Sequence, residues 1–137
     1  MFEIHTSLGC VATEVNDPET CYEHYKSLLE MTEEKYPDPQ SEADYDALMV
    51  ANNEMGIAEM MIGRTPKARK LFETALDQGS RFRDSSETAK SIYLLASANL
   101  GLAQWTDGQY EEASNTLLQA WNYHEELTQA GEDTGFA

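Results

Sequence analysis

The pattern of apolar and polar positions predicts an all-α chain arranged as pairs of helices. Strong helix formers dominate the 137 residues, and long runs of β-branched residues are absent. Three antiparallel helix pairs are predicted, as units at about 2–35, 41–79 and 85–129 of a single domain covering 1–130. A disordered tail is expected at 131–137. The six helices are predicted at about 2–15, 18–35, 41–62, 66–79, 85–106 and 109–129.

Local signals mark where these helices begin and where the chain breaks. Asp17-Pro18 and Thr65-Pro66 each place a capping residue before a proline in the first helical turn, and Asp107-Gly108 marks the equivalent turn of the third unit. Asp84, with a glutamate three residues later, resembles a capping box. Pro37-Asp38-Pro39 separates the first unit from the second.

A repeated pattern relates the three units. Each has a glycine after a large apolar residue, a small residue 12 positions later, an apolar residue four further on and another three after that. The glycines lie 47 and 45 residues apart, a period that indicates a helical-repeat solenoid. The matching residues are Leu8-Gly9, Cys21, Tyr25 and Leu28; Met55-Gly56, Ala68, Phe72 and Ala75; and Leu100-Gly101, Ala113, Leu117 and Ala120.

The glycines predict close contact between the helices of each pair. Glycine within a helix costs roughly 0.5–1 kcal/mol relative to alanine, so three at matching positions need a reason. We expect Gly56 to pack against Ala68, and Gly101 to pack against Ala113.

This arrangement resembles the tetratricopeptide repeat. The family's Leu-Gly pair, later alanine, then large apolar and small residues are matched by the second and third units, and Gly108-Gln109-Tyr110 also fits the third. The period, longer than the family's usual 34 residues, is similar to the long variant of kinesin light chains and of the sensor arrays of nucleotide-binding signalling ATPases. The resemblance implies a protein–protein interaction module, either a scaffold or a ligand-sensing array within a larger signalling protein.

The resemblance also implies a concave groove on the first helix of each pair. Two readings of its candidate residues remain open: ligand contacts in the groove, or solvated asparagines beside core residues such as Met60 and Trp105. An asparagine could both donate to and accept from the main chain of a peptide. The candidates carried over are Asn53, Glu54, Ile57, Met60, Asn99, Leu102 and Trp105.

Charge narrows the class of partner. The net charge of −16 argues against nucleic acid and anionic membrane, and favours a basic or mixed apolar protein or peptide. A cluster of seven bases lies within 64–90, whereas 91–137 carry seven acids and no Lys or Arg. With no signal-peptide pattern and no run of about 18 apolar residues, a cytoplasmic location is expected.

Candidate catalytic chemistry is sparse. His5, His24 and His124 fall in different predicted helices, and the sequence lacks a glycine-rich phosphate loop. Two cysteines are too few for a disulfide framework. We therefore expect no enzyme activity, no metal and no cofactor. The alternative function is an enzyme or small-molecule binder built as an irregular helical bundle.

The last predicted helix lacks an expected feature of solenoid ends, a polar outer face. Leu117 and Trp121 would instead be exposed. Either the chain belongs to a longer array or another chain covers this face. We expect self-association through 109–129.

Overall fold

A computed structural model describes residues 18–80 and 87–133, and every regular element in these two ranges is an α-helix. The predicted all-α class is therefore confirmed. The observed bounds match the predicted ones within four residues. The predicted helix 2–15, the Asp84 cap and residues 134–137 of the predicted tail lie outside the described residues, whereas residues 131–133 of that tail belong to the last helix. The helices are α1 (Pro18–Lys35), α2 (Glu42–Met61), α3 (Thr65–Gly79), α4 (Glu87–Thr106) and α5 (Tyr110–Asp133).

Side-chain capping starts α2 but not α3. The Ser41 hydroxyl accepts from the Asp44 amide at 3.2 Å, and the Asp44 carboxylate accepts from the Ser41 amide at 3.3 Å. At α3 the predicted cap is wrong, because Thr65 is already the first helical residue and Arg64 precedes it without a side-chain capping bond. Pro66 fixes this start instead, since its ring presets a helical φ and the missing amide would have no helical acceptor.

The turns after α2 and α4 have the same conformation at an offset of 45 residues. Gly63 and Gly108 adopt φ of 85° and 81°, which residues with a side chain rarely adopt. The residue after each glycine donates its amide to the carbonyl five positions earlier, at 2.8 Å in both turns (Arg64 to Glu59, Gln109 to Gln104). These three-residue turns fold α3 back on α2 and α5 back on α4.

Consecutive helices pack on one another, and α2 also contacts α4. The core between α1 and α2 is built around Cys21, Tyr25 and Met55. A second cluster joins α3 to α4, and α2 adds partly buried side chains to its edge. This cluster consists of Ala68, Phe72, Leu100 and Ala103, with Ile57, Met60 and Leu76 packed against it.

The repeat glycines Gly56 and Gly101 make the expected close approach, but to different neighbours. A Cβ atom on Gly56 would lie 2.5 Å from Cε1 of Phe72, and one on Gly101 would lie 2.6 Å from Cδ2 of Leu117. The nearest atoms therefore belong to the large residue four positions after the predicted alanine. Ala68 and Ala113 are fully buried. The missing side chain makes room for a ring or an isobutyl group.

Candidate docking surface

A band of exposed apolar side chains lies on α4 and α5. Leu102, Trp105 and Trp121 are each more than half exposed, at 53%, 56% and 58%. Isolated exposed leucines are ordinary, but a contiguous group of large apolar side chains marks an association site. We call this band the α4–α5 face; its residues are Leu95, Leu102, Trp105, Tyr110, Leu117 and Trp121.

Helical spacing and two contacts join these residues into one face. Leu95 and Leu102 are seven positions apart on α4, and Trp105 follows three later, so the three lie on one stripe. The indole of Trp105 packs edge-on against the Tyr110 ring, with centroids 4.7 Å apart. Leu117 lies over Gly101 and connects the stripe of α4 to the exposed side of α5.

The 45-residue offset shows which surface of the preceding pair this face corresponds to. Leu102 and Trp105 stand 45 residues after Ile57 and Met60, which pack against the cluster that contains Leu100 and Ala103 of α4. Leu117 likewise corresponds to Phe72, which is fully buried in that cluster. Through Leu102, Trp105 and Leu117, the α4–α5 face thus repeats, in exposed form, the surface that the α2–α3 pair buries under α4.

Trp121 completes this correspondence. It stands 45 residues after Leu76, a partly buried side chain packed against Ala75 and Ala96. Trp121 is exposed on α5, where its ring lies beside the His124 ring at a centroid distance of 5.7 Å. Both residues predicted for self-association, Leu117 and Trp121, therefore lie on the face.

The two candidate groove asparagines contact each other. Asn99 donates its side-chain amide to Oδ1 of Asn53 at 3.0 Å, across the α2–α4 contact. Asn53 is 2% exposed, so this oxygen is withdrawn from the surface. The bond explains why two amide side chains occur between these helices, since a buried carbonyl needs a donor.

Glu54, the neighbouring groove candidate, faces α1. Burial raises the pKa of Glu54, and a hydrogen bond with the Tyr25 side chain partly opposes that rise. Ile57 and Met60 are partly buried between α2 and the α3–α4 cluster. Of the seven predicted groove residues, the structure places Leu102 and Trp105 on the exposed α4–α5 face and the other five in or beside helix contacts.

The segments of α5 before Leu117 and after Trp121 are acidic. Glu111 and Glu112 begin α5, and Glu125 and Glu126 follow Trp121; all four are exposed. The sequence has no Lys or Arg after Lys90. The corresponding part of the preceding pair is basic, with Lys67 exposed at the position that matches Glu112.

Another base of α3, Arg69, lies on a different side of the helix from Lys67 and contacts the following pair. Arg69 forms a 2.8 Å ion pair between its Nε and the Asp107 carboxylate, and its Nη1 donates to the Gln109 side chain at 2.7 Å. Both partners lie in the α4–α5 turn. The position of α5 that matches Arg69 is Ser114, which cannot make such an ion pair.

Two concave sites offer little for a small molecule. A cavity of about 130 Å³ lies beside Tyr93 and Thr116, well below the roughly 300–1,000 Å³ of typical ligand sites. A depression of about 460 Å³ beside Tyr22 is lined largely by charged side chains, Glu19, Glu23 and Arg64. Ligand pockets are mostly apolar, so neither site has the usual character of one.

Among residues 18–80 and 87–133, no three His, Cys, Asp or Glu side chains are grouped so that they could hold a metal ion. No described helix is both long and apolar enough to span a membrane.

Sequence reasoning missed part of the face. Leu95 and Tyr110 belong to the face but are not among the predicted binding residues. The 45-residue offset does not single them out, because they match Val50 and Thr65, which are not among the apolar residues of α2 and α3 that pack against α4.

Comparisons with protein-family models, curated proteins and solved structures gave no match to this chain.

Proposed function

We propose that this chain is a tetratricopeptide-like helical-repeat module that binds another protein. One observation carries the proposal. The α4–α5 face keeps large apolar residues at the positions where the α2–α3 pair uses apolar residues to bind a helix, yet these residues are exposed. Exposing Leu102, Trp105 and Trp121 to water costs free energy that a bound partner would recover.

Two further observations support the repeat itself. The turns at Gly63 and Gly108 share both their left-handed φ and their hydrogen bonds. The helical glycines Gly56 and Gly101 both admit the residue 16 positions later. Agreement in turn, close approach and period is what a repeated helix pair requires.

This proposal changes the roles expected for the predicted groove residues. Asn53 and Asn99 satisfy each other between helices, so they are positioned to hold α2 and α4 together rather than to bind a peptide main chain. Leu102 and Trp105 remain binding candidates, now as part of the α4–α5 face. The acidic surroundings favour a basic or mixed apolar partner over nucleic acid or an anionic membrane.

The alternative, an enzyme or small-molecule binder, has no specific observation in its favour. Its minimum requirement is an enclosed site with converging polar groups. The cavity beside Tyr93 and Thr116 is too small for a drug-sized ligand.

Selection from a displayed library of random helical and extended peptides tests the proposal. The immobilised full chain should enrich a family of related peptides, and titration calorimetry should then give a saturable one-to-one complex. Enrichment of unrelated peptides with no saturable binding would overturn the proposed function.

A further inference from the structure

We infer that the α4–α5 face binds one amphipathic helix of another protein, with small and leucine residues on its apolar edge and a basic C-terminal end. The inference rests on the proposed function and names the partner that it leaves open. Two properties of the molecule specify this helix: the way α4 sits on the preceding pair, and the charge around the open face.

The packing of α4 on α2 and α3 indicates which side chains the bound helix needs, and at which spacing. Ala96, Leu100 and Ala103 are the α4 residues that meet the apolar residues of α2 and α3, at spacings of four and three. The α4–α5 face offers matching apolar residues 45 positions later. A helix with the spacing Ala-x3-Leu-x2-Ala would therefore place a leucine between two small residues on this face, as α4 does.

One position of the occupant should differ from α4. Asn99 bonds to Asn53, but the residue 45 positions after Asn53 is Ala98, an exposed side chain with no acceptor. An asparagine at the Asn99 position of the occupant would have no amide to bond. Burying an unpaired amide is costly, so the occupant should carry a small apolar residue there.

The charge around the face indicates which end of the bound helix is basic. In the inner contact, the base Arg69 on α3 meets the acid Asp107 just after the C-terminal end of α4. On α5 the position that matches Arg69 is Ser114; Glu111 lies three residues before it on the same side of the helix, and the sequence has no Lys or Arg after Lys90. The complementary helix therefore has lysine or arginine at its C-terminal end. Those bases also suit the negative end of the helix dipole.

This charge distribution disfavours a second copy as the occupant. A two-fold contact through α5 would bring the same acids of both copies together. Like charges facing each other across an interface reduce affinity and select against that pairing. A basic helix from another protein gains from the same acids.

A peptide built from α4 tests the inference directly. The probe has the sequence of residues 87–106 with Asn99→Ala and a short C-terminal run of lysines; a matched peptide ends in glutamates. Fluorescence anisotropy with the full-length chain should give saturable binding of the lysine peptide and about tenfold weaker binding of the glutamate peptide at low salt. The difference should shrink as salt is raised.

Variants of both partners locate the contact. Leu102→Ser should weaken binding of the lysine peptide about tenfold. Asn115→Ser should leave binding unchanged, because Asn115 is exposed on a side of α5 that is not part of the face. Restoring asparagine at position 99 of the peptide should weaken binding. Circular dichroism should show that both protein variants keep their helix content.

Three results would overturn the inference. They are no saturable binding, equal binding of the two peptides at low salt, and binding that Leu102→Ser does not affect. If library peptides bind the chain while the lysine peptide does not, the proposed function stands and this inference alone fails. If neither binds, both fail.

Discussion

Asn99 of α4 donates its side-chain amide to the carbonyl oxygen of Asn53 on α2, 46 residues earlier, at 3.0 Å. Asn53 is buried and Asn99 is partly so. A single side-chain bond therefore ties the first helices of two successive pairs. Because the acceptor is withdrawn from water, it depends on its partner.

Asn99→Leu should destabilise the protein by about 1–3 kcal/mol, because it leaves the buried Asn53 carbonyl without its donor. Urea unfolding followed by circular dichroism measures the change. Asn53→Leu combined with Asn99→Leu should cost less than the two single changes added, which a double-mutant cycle would reveal. Strictly additive effects would mean that the bond contributes little.

The helical glycines should respond differently to alanine. At Gly56 the new methyl group meets the Phe72 ring, which is fully buried and cannot move aside, so Gly56→Ala should cost about 1–3 kcal/mol. At Gly101 it meets Leu117, a branched side chain that is 40% exposed and can turn towards solvent. Thermal melts of the two variants would compare them.

The expected cost of Gly101→Ala is much smaller, because alanine recovers roughly 0.5–1 kcal/mol of helix propensity that offsets the displacement of Leu117. Two variants of equal stability would contradict the difference in confinement between Phe72 and Leu117. Gly101→Leu, with a larger side chain, should still destabilise.

The helices were predictable because their signals are local. Pro18 and Pro66, the breaker at 37–39 and the left-handed Gly108 each act through neighbouring backbone atoms, which the sequence reveals directly. The sequence predicted where the glycine contacts lie but not which side chain fills them. The pattern located Gly56 and Gly101, but whether an alanine or the ring four residues later fills the space depends on how far the two helices slide past each other.

The binding residues were less predictable for the same reason. The resemblance assigns both Asn53 and Asn99 to a groove, at neighbouring positions of the repeat, since Asn99 stands 45 residues after Glu54. Their mutual bond exists because α4 is stacked beside α2 at one particular offset. Likewise, Ile57 is partly buried because α4 packs over it. Its equivalent Leu102 is exposed because no described helix packs over it in the same way.

Removal of the Ser41 cap should destabilise the protein by about 1 kcal/mol. Ser41→Ala leaves the Asp44 amide without the hydroxyl that now accepts from it at 3.2 Å. Chemical unfolding against the wild type measures the loss. Ser41→Asp is the matched control, since aspartate also caps well and should retain most of the stability; equal losses in both variants would contradict the capping role.

Glu54→Gln should change how stability depends on pH. Burial raises the pKa of Glu54, so the folded state holds this proton more tightly than the unfolded state. The contribution of Glu54 to stability is therefore greatest below its ordinary pKa of 4.5 and declines as pH rises through the folded-state value. The variant lacks this decline and can still accept a bond from Tyr25.

The difference in unfolding free energy, variant minus wild type, should consequently increase from acid to neutral pH. Urea titrations at several pH values give this difference directly. Glu73→Gln, at an exposed position of α3, should show no comparable trend. A difference for Glu54→Gln that is independent of pH would mean that its carboxylate is not penalised by burial.

Self-association through α5 should become stronger as the salt concentration rises. Exposed Leu117 and Trp121 favour contact between two copies, whereas Glu111, Glu112, Glu125 and Glu126 oppose it. Raising ionic strength from about 0.01 M to about 1 M shortens the screening length from about 30 Å to about 3 Å, so sedimentation should detect more dimer at high salt.

Trp121→Glu should abolish that dimer, because it places a charge within the apolar contact. Asn122→Glu, which adds the same charge to a neighbouring exposed position of α5, should reduce it much less. A dimer that forms equally at both ionic strengths, or that survives Trp121→Glu, would place the contact elsewhere on the molecule.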